Sequence, residues 1–462
     1  MTDEWSPAEL AQLDGDRLRD YRQRLEFYQG EQWQGRQRWG ERRLTFNYAR
    51  VVIDKVTSYL MSGMDFAVDA ADNSDDVRIR AQKAEDALRE VHQANHVQQL
   101  DYETECDCAI LGDACYKVTW DQDAGGVRVT APDVQGLYAW RAGDDRTRVW
   151  RVASRYTLGP DEAHALYGLR PPGREVAVTE LWTAAELELW LDDVQAEKKP
   201  NPYGFIPFVI FPNLREPKKF WGASDLLQVV EPQREINRAM SQLSRILELS
   251  GNPIAVLENV EESQDIAVKP GAVWNIPEDA KAYLLDLLQG GGLRLHIDYI
   301  NLLYRTLHDL AESPRAAFGG TDRDLSGVAL EIDLQPLLQK VRRKRTIRTA
   351  AYNQRSRMIL RLLEEYRGDD FGGCRPRVVW GPLLPRDADK SVANEQVLVQ
   401  SGIHSRRRAM DELGVTDPEA EFRRWLEERA AILQMNQDLN RRPSRGRVSE
   451  GDALSRGEVT ED

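Results

Sequence analysis

Apolar positions along this chain recur in two rhythms. From Pro7 to Tyr28, the residues Leu10, Leu13, Leu18, Tyr21, Leu25 and Tyr28 fall on one side of a helix whose other side carries Glu, Arg and Asp. Residues 47–60 (NYARVVIDKVTSYL) predict a second helix, with Val51, Val52, Val56, Tyr59 and Leu60 as its stripe and Ser62-Gly63 as its end. The pattern stays helical over 75–111 and stops at Gly112. It then changes to short β-rich runs at 114–120, 127–131, 136–140, 147–156 and 176–191. Asp123-Ala124-Gly125-Gly126 suits a hairpin turn, and 205–211 (FIPFVIF) is an apolar strand between proline-containing breaks.

Helical spacing returns at 224–249, where Ser224 suits an N-cap and Pro232 either kinks the helix or marks the start of its long segment. A short insertion at 251–285 leads through Gly290-Gly291-Gly292 to a helix at 293–310. A loop at 312–327 precedes the longest helical run, 334–366, and a strand-like piece at 374–380. Polar helices fill 388–436, and the tail from 437 to 462 lacks periodic apolar positions, so it is expected to be disordered. A β-rich block set between helical blocks predicts an α+β fold.

With 41% apolar and 30% charged residues, the chain can bury real cores, and no stretch approaches the roughly 18 apolar residues of a membrane span. The N-terminus is polar and acidic, unlike a signal or transit peptide, which predicts synthesis in the cytoplasm. Cys106, Cys108, Cys115 and Cys374 are too few for a disulfide framework and lack metal-site spacing, as do His92 and His96. Free buried thiols are the better reading.

The net charge of −14 argues against tight nucleic-acid binding, which needs Lys and Arg on phosphates. It remains compatible with a wall past which DNA slides. No phosphate-binding loop and no nucleophile elbow occurs. Glu261-Glu262 and Asp369-Asp370 are acidic pairs expected by chance among 76 acidic residues, so neither a catalytic site nor a metal or cofactor site is predicted. The densest positive run is 341–348, with Arg342, Arg343, Lys344 and Arg345 at its centre. It either faces DNA or a neighbouring subunit, or is a solvated helix face paired with acids one turn away, and the inter-subunit or solvated reading is favoured. Arg406-Arg407-Arg408 reads the same way, and the twelve tryptophans look scattered rather than interleaved with basic residues.

The order of short motifs adds more. Tyr28-x-Gly30-x-x-Trp33, Asn47-Tyr48-Ala49-Arg50-x-x-x-Asp54 and Tyr59-Leu60-x-x-Gly63 come first. Ala109 to Ala114, Gly204-Phe205-Ile206-Pro207 with Phe211-Pro212-Asn213, and Trp221 to Leu226 with Asn237 and Ser241 follow. Phe318-Gly319-Gly320, Leu325 to Leu330 and finally 405–421 complete the series. In this order the motifs resemble the portal proteins of tailed bacteriophages, of the Gp6-like (SPP1-type) family, over roughly residues 20 to 430.

The resemblance implies a portal fold of wing, stem, clip and crown, assembled as a dodecameric ring. It assigns 1–222 to the wing, 223–250 and 290–311 to two stem helices, and 251–289 to the clip between them. Residues 312–327 would be the tunnel loop, 328–387 the long wing helix and return strand, and 388–436 the crown. In the loop, Arg315, Phe318, Gly319, Gly320, Asp322, Arg323 and Asp324 are the channel candidates; the plain alternative is a surface loop between helices. Glycines there permit unusual backbone angles, and two arginines are balanced by two aspartates. The implied role is a non-enzymatic conduit for packaging and ejecting double-stranded DNA at the portal vertex of the virion, with no membrane contact. Implied partners are the large terminase subunit, a head-completion (adaptor) protein, and the major capsid and scaffolding proteins. The alternatives are another head structural protein or a metal-dependent DNA-processing enzyme, such as a nuclease.

Overall fold

A computed structural model describes residues 6–72, 74–168, 175–251, 254–258, 281–285, 292–319, 327–384, 388–415 and 418–441. It has two compact units, divided after Leu383, and it mixes helix and strand as an α+β chain.

The first unit opens with α1 (Leu10–Leu13) and α2 (Gly15–Gln29), which split the expected first helix at Asp14. Gly30, at φ 106°, ends α2 by turning its N–H back onto the Glu26 and Phe27 carbonyls. α3 (Tyr48–Leu60) starts where the Asn47 side chain accepts the Arg50 N–H at 3.1 Å. Its buried face is Ala49, Val52, Ile53, Val56, Thr57 and Leu60; Val51 points out to solvent, contrary to the expected stripe. β1 (Met64–Ala70), unexpected from the sequence, pairs antiparallel with the strand at 374–380.

The expected helix at 75–111 is two helices, α4 (Asp75–Ala94) and α5 (Val97–Leu111). The break has a local cause. The Asn95 amide bonds the Val127 carbonyl and the Val129 N–H of a neighbouring strand at 2.8 and 2.9 Å, and His96 takes a left-handed φ of 49°. β2 (Asp113–Asp121), β3 (Gly126–Thr130), β4 (Leu137–Ala142), β5 (Asp145–Leu158), α6 (Pro160–Tyr167), β6 (Val176–Thr183), β7 (Glu186–Leu191), β8 (Val194–Pro200) and β9 (Phe208–Pro212) follow. They build two antiparallel sheets, β3-β2-β9 and β4-β5-β6-β7-β8. The predicted hairpin at 123–126 joins β2 to β3, whereas α6 and β8 were not legible in the pattern.

α7 (Val230–Gly251) begins six residues later than Ser224, which is held elsewhere, and Pro232 sits in its first turn. β10 (Ile254–Glu258) and β11 (Lys281–Leu285) form a hairpin, and α8 (Gly292–Leu310) packs against α7, where Tyr299 donates to Glu235 at 3.2 Å. α9 (Gly327–Asp333), the 33-residue α10 (Gln335–Arg367) and β12 (Cys374–Trp380) close the unit. Its core lies where α10 meets α4, α5, β2 and β9, around Tyr116, Phe211, Tyr352, Ile359 and Leu363.

The second unit holds α11 (Ala388–Gln400), α12 (Arg406–Glu412) and α13 (Pro418–Arg441). α13 extends five residues into the segment expected to be disordered; the remainder of that tail, 442–462, lies outside the described residues.

Candidate functional site

The motifs that are scattered along the sequence converge at the foot of α7. Asn237 and Ser241, one turn apart on α7, accept the backbone N–H groups of Phe46 and Leu44 at 2.9 and 3.0 Å. Gln233 accepts the Ala49 N–H at 3.1 Å and donates to the Phe46 carbonyl at 2.6 Å. Gln32 bridges Asn47 and Asn237 at 2.9 and 2.6 Å, and Tyr28 donates to Asp54 at 2.7 Å. The extended strand of loop before α3 thus satisfies its polar backbone on α7 side chains, as buried backbone must.

A second junction fixes the chain just before α7. Asp113 accepts the Gly222 N–H at 2.7 Å and the Tyr21 hydroxyl at 2.5 Å. The Ser224 hydroxyl donates to the α5 C-terminal carbonyls of Ala109 and Ile110 at 3.1 and 2.5 Å, and the Asp225 N–H reaches Ala109 at 2.9 Å. Those carbonyls are orphans of the helix end, so the Ser-Asp pair caps α5 rather than α7. Asn213 donates to the Ala223 carbonyl at 2.9 Å and to Asp225 at 3.2 Å.

The basic run of α10 supplies the counter-charges, which corrects the sequence reading. Arg342 and Arg343 are exposed, and Arg343 pairs with Glu312 at 2.6 Å. Lys344 and Arg345 are 1% and 8% exposed and belong neither to a solvated face nor to a surface for a partner. The helical turn carries Lys340, Lys344, Arg348 and Arg355 to the inner side, where Asp225, Glu105 and Asp101 wait. Asp225 takes both Lys340, at 3.2 Å, and Lys344. Burial alone would raise its carboxyl, but the two ammonium groups outweigh burial and hold it well below the usual range. Lys344 shifts down, because burial penalises an ammonium that shares its one carboxylate with Lys340.

Arg348 uses its whole fork: Glu105 at 2.8 and 2.9 Å, and the Pro212 and Asn213 carbonyls at 2.9 and 2.7 Å. Arg355 binds Asp101 at 2.9 Å and lies 4.4 Å over the Tyr116 ring, whose hydroxyl donates to the same aspartate at 2.7 Å. Arg345 donates to the Gly381, Ser62 and Leu60 carbonyls at 2.7, 3.0 and 3.2 Å, capping the end of α3. Asp101 and Glu105 were not foreseen. Their signal is spacing: with Val97 and Ala109 they occupy successive turns of one helical face, so carboxylates stand where an apolar stripe is due.

The loop candidates are only partly in view. Arg315 lies 5.4 Å over Tyr304, Phe318 packs edge-on against His308 at 5.1 Å, and Gly319 adopts φ 80°. Gly320, Asp322, Arg323 and Asp324 lie outside the described residues, as do Gly290-Gly291 and Glu261-Glu262. Cys108 and Cys115 are buried and Cys106 and Cys374 half-buried, and no metal-ligand cluster occurs among the described residues.

This convergence ties α3, α5, α7 and α10 together through buried backbone and charge. The family model of the phage portal protein, SPP1 Gp6-like, matches residues 14–435. The chain belongs to this family. Among portal proteins, that of Mycobacterium phage D29 is 25% identical over 339 residues, covering 68% of this chain. The match spans 65% of that relative's own length. The segments Trp221 to Leu226 and Ala109 to Ala114 are the two halves of the Asp113–Gly222 and Ser224–Ala109 contacts.

Proposed function

We propose that this portal-family chain forms the portal vertex of a tailed-phage head: a ring, taken as a dodecamer, through which double-stranded DNA is packaged and ejected. It has no enzymatic role in this reading. Hydrolysis belongs to a terminase whose large subunit docks on the clip, later replaced by a head-completion protein. Major capsid and scaffolding proteins surround it in the virion, and the subunit is made in the host cytoplasm. No helix among the described residues is long and apolar enough to cross a membrane.

The observation that carries the ring is α8. Leu295 and Leu302 are 72% and 60% exposed, and Ile297, Tyr299 and Leu310 also face solvent. A helix that leaves so much apolar surface uncovered in the single chain asks for a neighbour. The order α7, hairpin β10–β11, α8 supports the reading of 223–250 and 290–311 as stem and 251–289 as clip. Wing (1–222 and 328–387), tunnel loop (312–327) and crown (388–436) follow from the same scheme. Arg342 and Arg343, exposed on α10, remain candidates for DNA or a neighbour, as do the loop residues Arg315 and Phe318.

Negative-stain electron microscopy of the purified protein tests this. Ring particles of twelve- or thirteen-fold symmetry with a central hole are expected. A monomer or dimer under all conditions would overturn the ring reading, and metal-dependent cleavage of plasmid DNA would overturn the non-enzymatic one.

A further inference from the structure

The segment Trp33–Arg43 departs from the scattered-tryptophan pattern: Arg36, Arg38, Trp39, Arg42 and Arg43 interleave an aromatic with cations in a chain of net charge −14. Trp39 is fully exposed, at 102% of its reference surface. A bare indole of this kind is usually a mobile tip, but this one stands on a braced turn. The Glu41 N–H returns to the Arg38 carbonyl at 3.0 Å, the Glu41 carboxylate accepts the Arg38 N–H at 2.7 Å, and Gly40 takes the φ of 73° that the turn requires. Arg43 clasps the Gly35 and Arg36 carbonyls at 2.9 and 3.0 Å, and Arg245 of α7 holds the Gly40 carbonyl at 3.1 Å. Arg36 and Arg38 make no ion pair among the described residues.

A pre-organised tryptophan flanked by arginines is the composition of an interface anchor, because little ordering entropy is lost when it docks. We propose that this turn is the knob of the contact between neighbouring copies of the chain, with the exposed face of α8 on the next copy as its seat. This rests on the ring reading above. A ring of more than two subunits needs a heterologous contact, in which one surface patch meets a different one. The turn is fastened to α7, the helix that packs on α8, so knob and seat belong to one helix pair. Leu295 and Leu302, with Asp298 between them, give α8 an apolar stripe with a carboxylate for the arginines. Nucleic acid is the poorer partner, since one indole and a few cations face the field of a strongly acidic chain.

Mass photometry and negative-stain imaging of the full chain decide the matter, comparing wild type with Trp39→Ala and with Arg36→Glu/Arg38→Glu. Wild-type rings with variants that lose most of their rings to monomers, yet melt at the wild-type temperature, are the expected result. Wild-type rings with equally abundant variant rings overturn the knob while leaving the ring intact. No rings from any protein sinks the ring reading itself. A photo-crosslinking amino acid placed at position 39 adds an independent readout: attachment to 292–310 of another copy is expected, and attachment elsewhere overturns the seat.

Discussion

Arg348 and Glu105, 243 residues apart in sequence, meet as a two-pronged ion pair with neither side chain exposed to solvent. The same guanidinium holds the Pro212 and Asn213 carbonyls, so one side chain ties α10 to α5 and to the end of β9. Asp225 with Lys340 and Lys344, and Asp101 with Arg355, repeat the arrangement above and below it on α10. The long helix is therefore set in register by charge as well as by packing.

Removing both partners should cost less than the two single losses added together. Arg348→Met strands a buried carboxylate and is expected to cost about 3–5 kcal/mol. Glu105→Gln strands the guanidinium at a similar cost, and the double variant should fall short of the sum by about 0.5–3 kcal/mol. Urea denaturation at fixed protein concentration measures the cycle, and strict additivity would show that the two groups do not act as a pair.

The run Arg342-Arg343-Lys344-Arg345 should divide in two. Arg342→Ala and Arg343→Ala, on the outer side, are expected to change stability by no more than about 0.5 kcal/mol. Lys344→Ala uncovers part of the Asp225 charge, and Arg345→Ala abandons the α3 carbonyls, so each should cost about 1–3 kcal/mol. Thermal melts of the four single variants settle the division; four equal effects would contradict the burial of the inner pair.

How far this was readable from sequence depends on how local each cause is. Helix boundaries were legible near Asn47 and at Gly112, because their signals lie within a turn of the residue concerned. β1 was not, since its partner lies at 374–380 and its own alternation is weak. The split at Asn95 depends on strand β3, and the true start of α7 depends on α5 taking Ser224 and Asp225. The basic run read as a solvated or inter-subunit face for a related reason: charge identity says nothing about whether Asp225 or Glu105 will be waiting on the inner side. The portal motifs were visible in order, but only the fold shows that Asn237 and Ser241 serve the backbone of 44–46.

Asp113 predicts a pH dependence. Burial is the leading cause that pushes its carboxyl up to about 6, against the Tyr21 and Gly222 hydrogen bonds, which work the other way. The native state then holds a proton more tightly than the unfolded chain does. Stability contributed by this group is full below pH about 4 and is lost as pH rises towards about 6, by up to roughly 3 kcal/mol. Asp113→Asn, which can still accept from Gly222, should flatten that window. Melting temperatures of both proteins between pH 4 and 7 test it, and parallel curves would rule Asp113 out as the source.

The last prediction concerns the crossing of two backbones that places α7. At Gly222 an added Cβ would stand 2.6 Å from the Pro212 Cβ and 2.9 Å from the Leu214 carbonyl oxygen. At Gly112 it would stand 2.9 Å from the Gly222 oxygen and 3.0 Å from the Ser224 nitrogen, with a φ of 111° that already disfavours a side chain. Those neighbours are backbone or ring atoms locked by the Gly222–Asp113 bond at 2.7 Å and the Asn213–Gly112 bond at 2.7 Å, so they have little room to give. Gly222→Ala is therefore expected to cost about 1–3 kcal/mol through overpacking, and Gly112→Ala more, since backbone strain adds to it. Gly15→Ala is the control: no atom lies within 4 Å of its Cβ position and it opens a helix, so stability should hold or rise by about 0.4–1 kcal/mol. Equal melting temperatures for Gly222→Ala and Gly15→Ala would mean that the crossing yields easily, and that the start of α7 is not fixed by close backbone approach.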